Sequence, residues 1–238
     1  MQRSRLAVVC AFFGTLAVFA ALLGPALIHL GALPPIGGFM VFALGLLASL
    51  LGLLVAPFAL YATRASAGRA GRGLAWLGLA CAALLLGGVL GTRLPGSDLP
   101  SINDITTDLA DPPAFASDPA GMGRDMGYPA GFAAEVKRGY PDLAPIRVSS
   151  DPARALALAE ETARKFGWEA VTVDAAAGTV LARDTSKVFR FVDDVVVRVR
   201  PAEGGGSVVD LRSKSRVGQG DIGANAARIR RFAAELPR

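Results

Sequence analysis

The spacing of apolar and polar residues changes character twice along the chain. Residues 6–30 form an uncharged apolar run, residues 39–62 a second, and residues 74–91 a third. A bilayer core of roughly 30 Å takes about 20 apolar helical residues, so the pattern predicts a three-span anchor over residues 1–92. The first run is too long for the apolar stretch of a cleaved leader, about 7–15 residues, and more spans follow it. Pro34, Pro35, Gly37 and Gly38 mark the first connection. Ala83, Gly87 and Gly91 form a row of small residues of the kind that lets helices approach closely.

Residues 93–144 are rich in Pro, Gly and Asp and keep no period for long. Yet Ile102, Ile105, Leu109, Phe115, Tyr128, Phe132 and Tyr140 are spread along them. A disordered tether is poor in aromatics. The segment therefore reads as an arm that drapes over a folded domain and buries these side chains.

From residue 145 the pattern sharpens into a domain that runs to residue 238. Residues 146–149 suit a strand. Asp151 and Pro152 then give an N-cap and a first-turn proline. Leu156, Ala159, Ala163 and Phe166 recur at helical spacing, and Gly167 supplies the stop. Residues 168–173 and 179–184 read as strands around a D-A-A-A-G turn. In residues 194–200, Val195, Val197 and Val199 alternate with Asp194, Arg198 and Arg200. In residues 208–216, Val209 and Leu211 alternate with Asp210, Arg212, Lys214 and Arg216. A last helix is expected from about Asp221, with a stripe of Ile222, Ala226, Ile229, Ala233 and Leu236.

Charge fixes the register of the last hairpin. Apolar faces match only if paired residue numbers have an even sum. Centring the turn on Gly204 sets Arg198 against Asp210 and Asp194 against Lys214. Each complementary pair is worth about 0.2–1 kcal/mol. A shift of two would set Arg198 against Arg212. The expected fold is α+β: a one-sided antiparallel sheet with two helices on its apolar face and a charged outer face. Its order β-α-β-β-β-β-α resembles a small helix-grip arrangement.

Net charge is +5 and the pI is near 9.7. All 20 acidic residues lie from Asp98 onward. Residues 1–92 hold Arg3, Arg5, Arg64, Arg69 and Arg72 and no acid, so the polar remainder is formally neutral. No basic footprint is left for nucleic acid. The five Arg flank the first span and fill the connection between the second and third. By the positive-inside rule the N-terminus is cytoplasmic and the C-terminal domain lies outside. In a Gram-negative bacterium that is an inner-membrane protein with a periplasmic domain.

The single His, His29, and both Cys, Cys10 and Cys81, lie in the spans. The domain therefore lacks the base or nucleophile of Ser-His-Asp and Cys-His sites, and the donors of His/Cys zinc sites. Carboxylate, Lys, Arg, Ser and Tyr chemistry remains. Asp193 and Asp194, like Ser213 and Lys214, are strand neighbours that point to opposite faces. Asn103, Asp104, Asp108 and Asp111 have the chemistry for a hard cation. Their spacing matches no known loop, and no metal or other cofactor is expected.

G-Q-G-D-I-G, residues 218–223, spells a dinucleotide fingerprint. That motif needs a buried parallel strand before it and another strand after it. Here the preceding strand is charged on one face, and only a helix follows, so no nucleotide is expected. A plain anion site is better founded, because a helix N-terminus offers free N–H groups and Lys214, Arg216 and Arg228 are near in sequence. The rival reading is a structural joint capped by Asp221.

Three stretches carry a family resemblance: I-N-D-I-T-T-D (102–108), F-R-F-V-D-D-V-V-V-R-V-R-P (189–201) and V-D-L-R-S-K-S-R-V-G-Q-G-D-I-G-A-N-A-A-R-I-R (209–230). Over about residues 100–236 the chain resembles the domain-of-unknown-function 1499 family, which has bacterial and chloroplast members, some with N-terminal spans. The resemblance implies no activity or catalytic residue. It groups Asp194, Arg198, Arg200, Asp210, Arg212, Ser213, Ser215, Arg216, Gly218, Asp221, Asn225 and Arg228 as a signature. The family usually carries Ser where this chain has Gly220. The candidate ligand residues are thus Arg198, Arg200, Asp210, Arg212, Lys214, Arg216, Gly218, Asp221, Asn225 and Arg228. The leading expectation is a non-enzymatic module that binds an envelope component or a membrane-protein partner. The alternatives are an enzyme acting on an anionic substrate and an assembly factor for a membrane complex.

Overall fold

A computed structural model describes residues 2–91 and 99–238. The expected boundary at residues 92 and 93 lies outside the described residues. The chain forms two compact units: Met1–Ser97 with Lys187–Arg190, and Asp98–Ser186 with Phe191–Arg238.

The first unit contains α1 (Arg5–His29), α2 (Pro35–Ala62) and α3 (Arg72–Gly91). All three are long and apolar enough to cross a membrane. Large side chains such as Phe12, Phe19, Leu22, Leu54 and Phe58 are exposed, while the residues α1 buries are nearly all small: Ala7, Cys10, Ala11, Gly14, Ala17, Ala20 and Gly24. Lipid tails are as apolar as Leu, so helix contact in a membrane comes from close backbone approach over small residues. A Cβ on Gly14 would stand 2.3 Å from the Gly78 carbonyl oxygen, and one on Gly78 2.3 Å from that of Cys10. The expected row in α3 does not make this contact, because Gly87 and Gly91 face open space. Ser49 adds an interhelical hydrogen bond to the Ala82 carbonyl at 2.7 Å.

The second unit is α+β. Its strands are β1 (Asp104–Thr106), β2 (Ile146–Val148), β3 (Glu169–Asp174), β4 (Thr179–Thr185), β5 (Val192–Pro201) and β6 (Ser207–Ser215). The helices are α4 (Phe132–Gly139), α5 (Pro152–Lys165) and α6 (Ala224–Glu235). The sheet order is β1-β6-β5-β4-β3, and β2 also pairs with β6. Every pairing is antiparallel. β1 lies along residues 212–214 of β6 and β2 along residues 207–209, so the two short strands share one edge. The β5–β6 register is the one charge predicts: Arg198 opposite Asp210 and Asp194 opposite Lys214.

One face of the sheet makes the core. Val180, Ala182, Val195, Val197, Val199, Val209 and Leu211 pack with Leu156 and Ala159 of α5 and with Ile229 and Phe232 of α6. Burying each Val or Leu is worth about 1.5–3 kcal/mol. Asp151 caps α5, its carboxylate accepting from the Arg154 N–H at 3.0 Å, and Gly167 follows the helix at φ 71°.

The arm buries its side chains as expected: Ile102, Ile105 and Tyr140 join the core, with Val136, and the arm carries two short elements, β1 and α4. Two sequence expectations need correction. α6 begins at Ala224 rather than about Asp221, with Gly223 at its N-cap. Ile222 is therefore not part of its stripe and is 82% exposed. The second concerns the charged face, which is not an outer face.

Candidate functional site

Strand alternation sends Asp194, Arg198 and Arg200 of β5 and Asp210, Arg212 and Lys214 of β6 to the face opposite the core. The arm covers that face. Asp104, on β1 beside Lys214, is wholly buried and meets both Arg212 and Lys214. Arg212 Nε lies 2.9 Å from Asp104 Oδ1 and Nη2 lies 2.7 Å from Oδ2, a two-pronged bond. The same guanidinium donates to the carbonyls of Pro113, Met126 and Gly127 at 3.0–3.2 Å. It sits 5.1 Å from the Phe115 ring centre and 5.2 Å from that of Tyr128. Arg212 is 2% exposed. Lys214 Nζ donates to Asp104 Oδ2 at 2.9 Å.

A second knot forms on Asp194. Arg216 Nη2 reaches its Oδ1 at 2.7 Å and Arg124 Nη2 its Oδ2 at 2.6 Å. Arg124 also pairs with Asp118, which accepts the N–H groups of Ala120, Met122 and Arg124. The Arg124 guanidinium, with those N–H groups, holds the Asp118 carboxyl well below the usual carboxylate range. A third knot gathers Arg198 and Arg200 around Asp210 and the arm carboxylates Asp108 and Asp111. Burial pushes the Asp108 carboxyl up. The Asp111 and Ala110 N–H groups and Arg200 outweigh it and bring Asp108 below its ordinary value.

The core face has its own polar patch under α6. Arg228 donates to Asp184 at 2.7 Å, Asp193 at 2.6 Å, Ser213 Oγ at 2.8 Å and Asn225 Oδ1 at 2.5 Å. Asp184 and Asp193 are register partners on β4 and β5, which explains why one guanidinium spans both. Asn225 also donates to Ser215 Oγ and to the Asn103 carbonyl of the arm. Asp221 accepts from the Gly223 and Asn225 N–H groups, both at 2.8 Å, and so caps α6. Burial raises its carboxyl above the ordinary aspartate value, and these N–H bonds offset it only in part.

Lys214, Arg216 and Arg228 do not converge on the N-terminus of α6. The first two turn to Asp104 and Asp194 under the arm, and Arg228 turns to Asp184 and Asp193 on the other face. Gly218, at φ 88°, offers its carbonyl to Asn103. Asp108 and Asp111 face guanidinium groups, and Asp104 faces Arg212 and Lys214. A groove of 520 Å³ lies elsewhere, lined by Leu109, Ala133, Lys137 and Tyr140 among others, and by none of the ten candidate ligand residues. The partners that sequence reasoning left out of the site are Asp104, Asp118, Arg124, Asp184, Asp193 and Asp194. Asp104 stands 108 and 110 residues from Arg212 and Lys214, and Arg124 stands 70 from Asp194, separations at which spacing carries no signal. Register and the family signature point to Asp194; for Asp118, Arg124 and Asp184 only charge does so.

No curated protein matches the chain. The family described as protein of unknown function (DUF1499) matches residues 104–236. The match begins at Asp104, so the arm carboxylates are inside the family domain together with the strands they pair with. With more than half its residues matched, the chain belongs to the DUF1499 family.

Proposed function

We propose that this is an integral membrane protein of the bacterial inner membrane whose C-terminal domain is a non-enzymatic, periplasmic binding module for an envelope component or a membrane-protein partner. The carrying observation is the state of the signature charges. Asp194, Arg198, Arg200, Asp210, Arg212, Arg216 and Arg228 each meet an opposite charge, mostly from the arm or the neighbouring strand, and so does Lys214 between them. Charges so paired hold a surface in shape. A general acid or base must instead reach a substrate proton. The domain then offers partners a rigid, arm-covered surface, and the signature residues act through the shape they lock.

The three span-capable helices support the membrane assignment. The Arg-bearing N-terminus and α2–α3 connection, against an uncharged α1–α2 connection, support a cytoplasmic N-terminus. A reporter fused after Gly96 should be active only in its periplasmic form. Co-purification of the full chain from bacterial membranes should return a stoichiometric partner.

One observation favours the enzyme alternative: Asp221 is half-buried with its carboxyl pKa raised by desolvation, as catalytic carboxylates often are. Its two backbone bonds account for its place as a cap. Turnover of an anionic substrate by the purified chain, lost in a folded Asp221→Asn variant, would overturn the non-enzymatic reading.

A further inference from the structure

The helical unit carries a charged feature that the proposed function does not use. The chain before α1 pairs with the α2–α3 connection. Arg3 and Ala70 form a parallel bridge. The Ser4 N–H donates to the Ala70 carbonyl at 2.9 Å and the Ala70 N–H to the Gln2 carbonyl at 3.1 Å. Gly71 permits this closure. It holds φ 118°, and a Cβ there would come within 3.2 Å of the Ala7 side chain. The bridge unites two stretches far apart in sequence, bringing Arg3 and Arg5 to the segment that holds Arg64, Arg69 and Arg72. All five are exposed.

No acidic residue precedes Asp98 in the sequence, and among the described residues none of the five meets a carboxylate. Arg64 only folds over the Tyr61 ring at 3.8 Å and bonds Ser66 Oγ and the Tyr61 carbonyl. Next to them Tyr61 closes α2 at 68% exposed and Trp76 opens α3 at 52% exposed. Such aromatics sit at headgroup depth. The rim therefore pairs unneutralised guanidinium groups with interfacial aromatics, and guanidinium matches phosphate oxygens two by two.

We propose that this rim is a binding site for anionic phospholipid headgroups, assembled by the bridge between residues 2–4 and Ala70. It rests on the membrane reading of the proposed function. The charge acts together only when the bridge holds the two segments side by side, so binding depends on the fold of the rim as well as on its charge.

The test is native mass spectrometry of the full chain in mild detergent, where membrane orientation no longer matters, with phosphatidylglycerol and phosphatidylcholine supplied in equal amounts. Phosphatidylglycerol should be retained preferentially. Each Arg→Gln substitution in the rim should lower its retention by roughly fivefold. Ala70→Pro, which removes the N–H that reaches Gln2 and changes no charge, should also lower it, with helix content by circular dichroism unchanged. Equal retention of the two lipids overturns the proposal. So does Ala70→Pro binding like the parent chain, or inorganic phosphate alone binding as well as the lipid. Carbonate extraction of membranes comes first. A chain released by carbonate overturns the membrane reading and the lipid site together, whereas a retained chain without lipid preference overturns the lipid site only.

Discussion

The two faces of β5 and β6 are made by the same residues counted alternately, and they are sealed by opposite means. Val195, Val197, Val199, Val209 and Leu211 close against α5 and α6 by burial alone. Asp194, Arg198, Arg200, Arg212 and Lys214 close against the arm through ion pairs, and Asp210 braces Arg198 and Arg200 from the next strand. Away from the polar patch under α6, the apolar face needs only shape and volume. The charged face needs specific partners, because an ion taken from water costs several kcal/mol unless its mate is well placed. The apolar face thus tolerates exchange of one aliphatic side chain for another, and the charged face fixes which residues may stand on it and how the arm must run.

The largest expected effect comes from taking the two-pronged partner from a buried carboxylate, which leaves Asp104 with Lys214 only. Arg212→Met should cost about 3–5 kcal/mol, measured by urea unfolding of the full chain in detergent with circular dichroism at helix and sheet wavelengths. The matching change on the apolar face, Leu211→Ala, should cost about 2–5 kcal/mol. The distinction lies in the double variants. Asp104→Leu with Arg212→Met should recover much of the loss, since a buried ion pair replaced by apolar groups is often near neutral. Some deficit should persist, because Lys214 loses its carboxylate and the Pro113, Met126 and Gly127 carbonyls lose their donor. No recovery at all would mean that the arm face depends on more than this charge pair.

Asn225→Ala, which breaks the polar patch under α6, should cost about 1–3 kcal/mol by the same assay. At the small end, Arg164→Ala removes an exposed i,i+4 pair with Glu160, worth about 0.3–0.5 kcal/mol. A larger loss there would weaken the contrast between paired charges that are buried and those that are not.

Acid should separate the faces as well. Asp118 and Asp108 have carboxyls held below their ordinary value. Their contribution is fully present above the unfolded aspartate value of about 3.9 and is lost as pH falls through the lower folded value. Asp221 has the opposite sign: its folded value is raised, so its ionisation costs stability as pH rises between the unfolded and folded values. Limited proteolysis should show the arm cut increasingly below about pH 4, ahead of β5 and β6. An Asp118→Asn variant should be cut faster than the parent at neutral pH and should respond less to acid.

Much of this fold is legible in the sequence. Alternation marks β5 and β6, opposite charges fix their register, and the spaced aromatics of the arm announce that it is packed. What alternation cannot say is whether a charged face meets water or another charged segment. Arg212 and Lys214 look alike on a solvent face and beneath Asp104, because their partner is 108 and 110 residues away. β1 is three residues long and α4 eight, too short for periodicity to stand out among Pro and Gly. Ile222 fits a helical stripe by number, but Asp221 caps from two positions before the N-cap and leaves Ile222 at φ 53° outside the helix. The candidate site suffers most from this blindness. Its cations are visible in the sequence, and the carboxylates that occupy them are visible only as acidic residues in a proline-rich stretch.

The central claim is that the family's charged residues lock the arm to the sheet. Hydrogen–deuterium exchange of the full chain, parent against Arg212→Met, tests it most directly. Amides of residues 104–107 and 124–128 should exchange at least tenfold faster in the variant, while those of Val195, Val197 and Val199 keep their protection. Unchanged exchange in the arm, with Arg212 gone, would contradict the account.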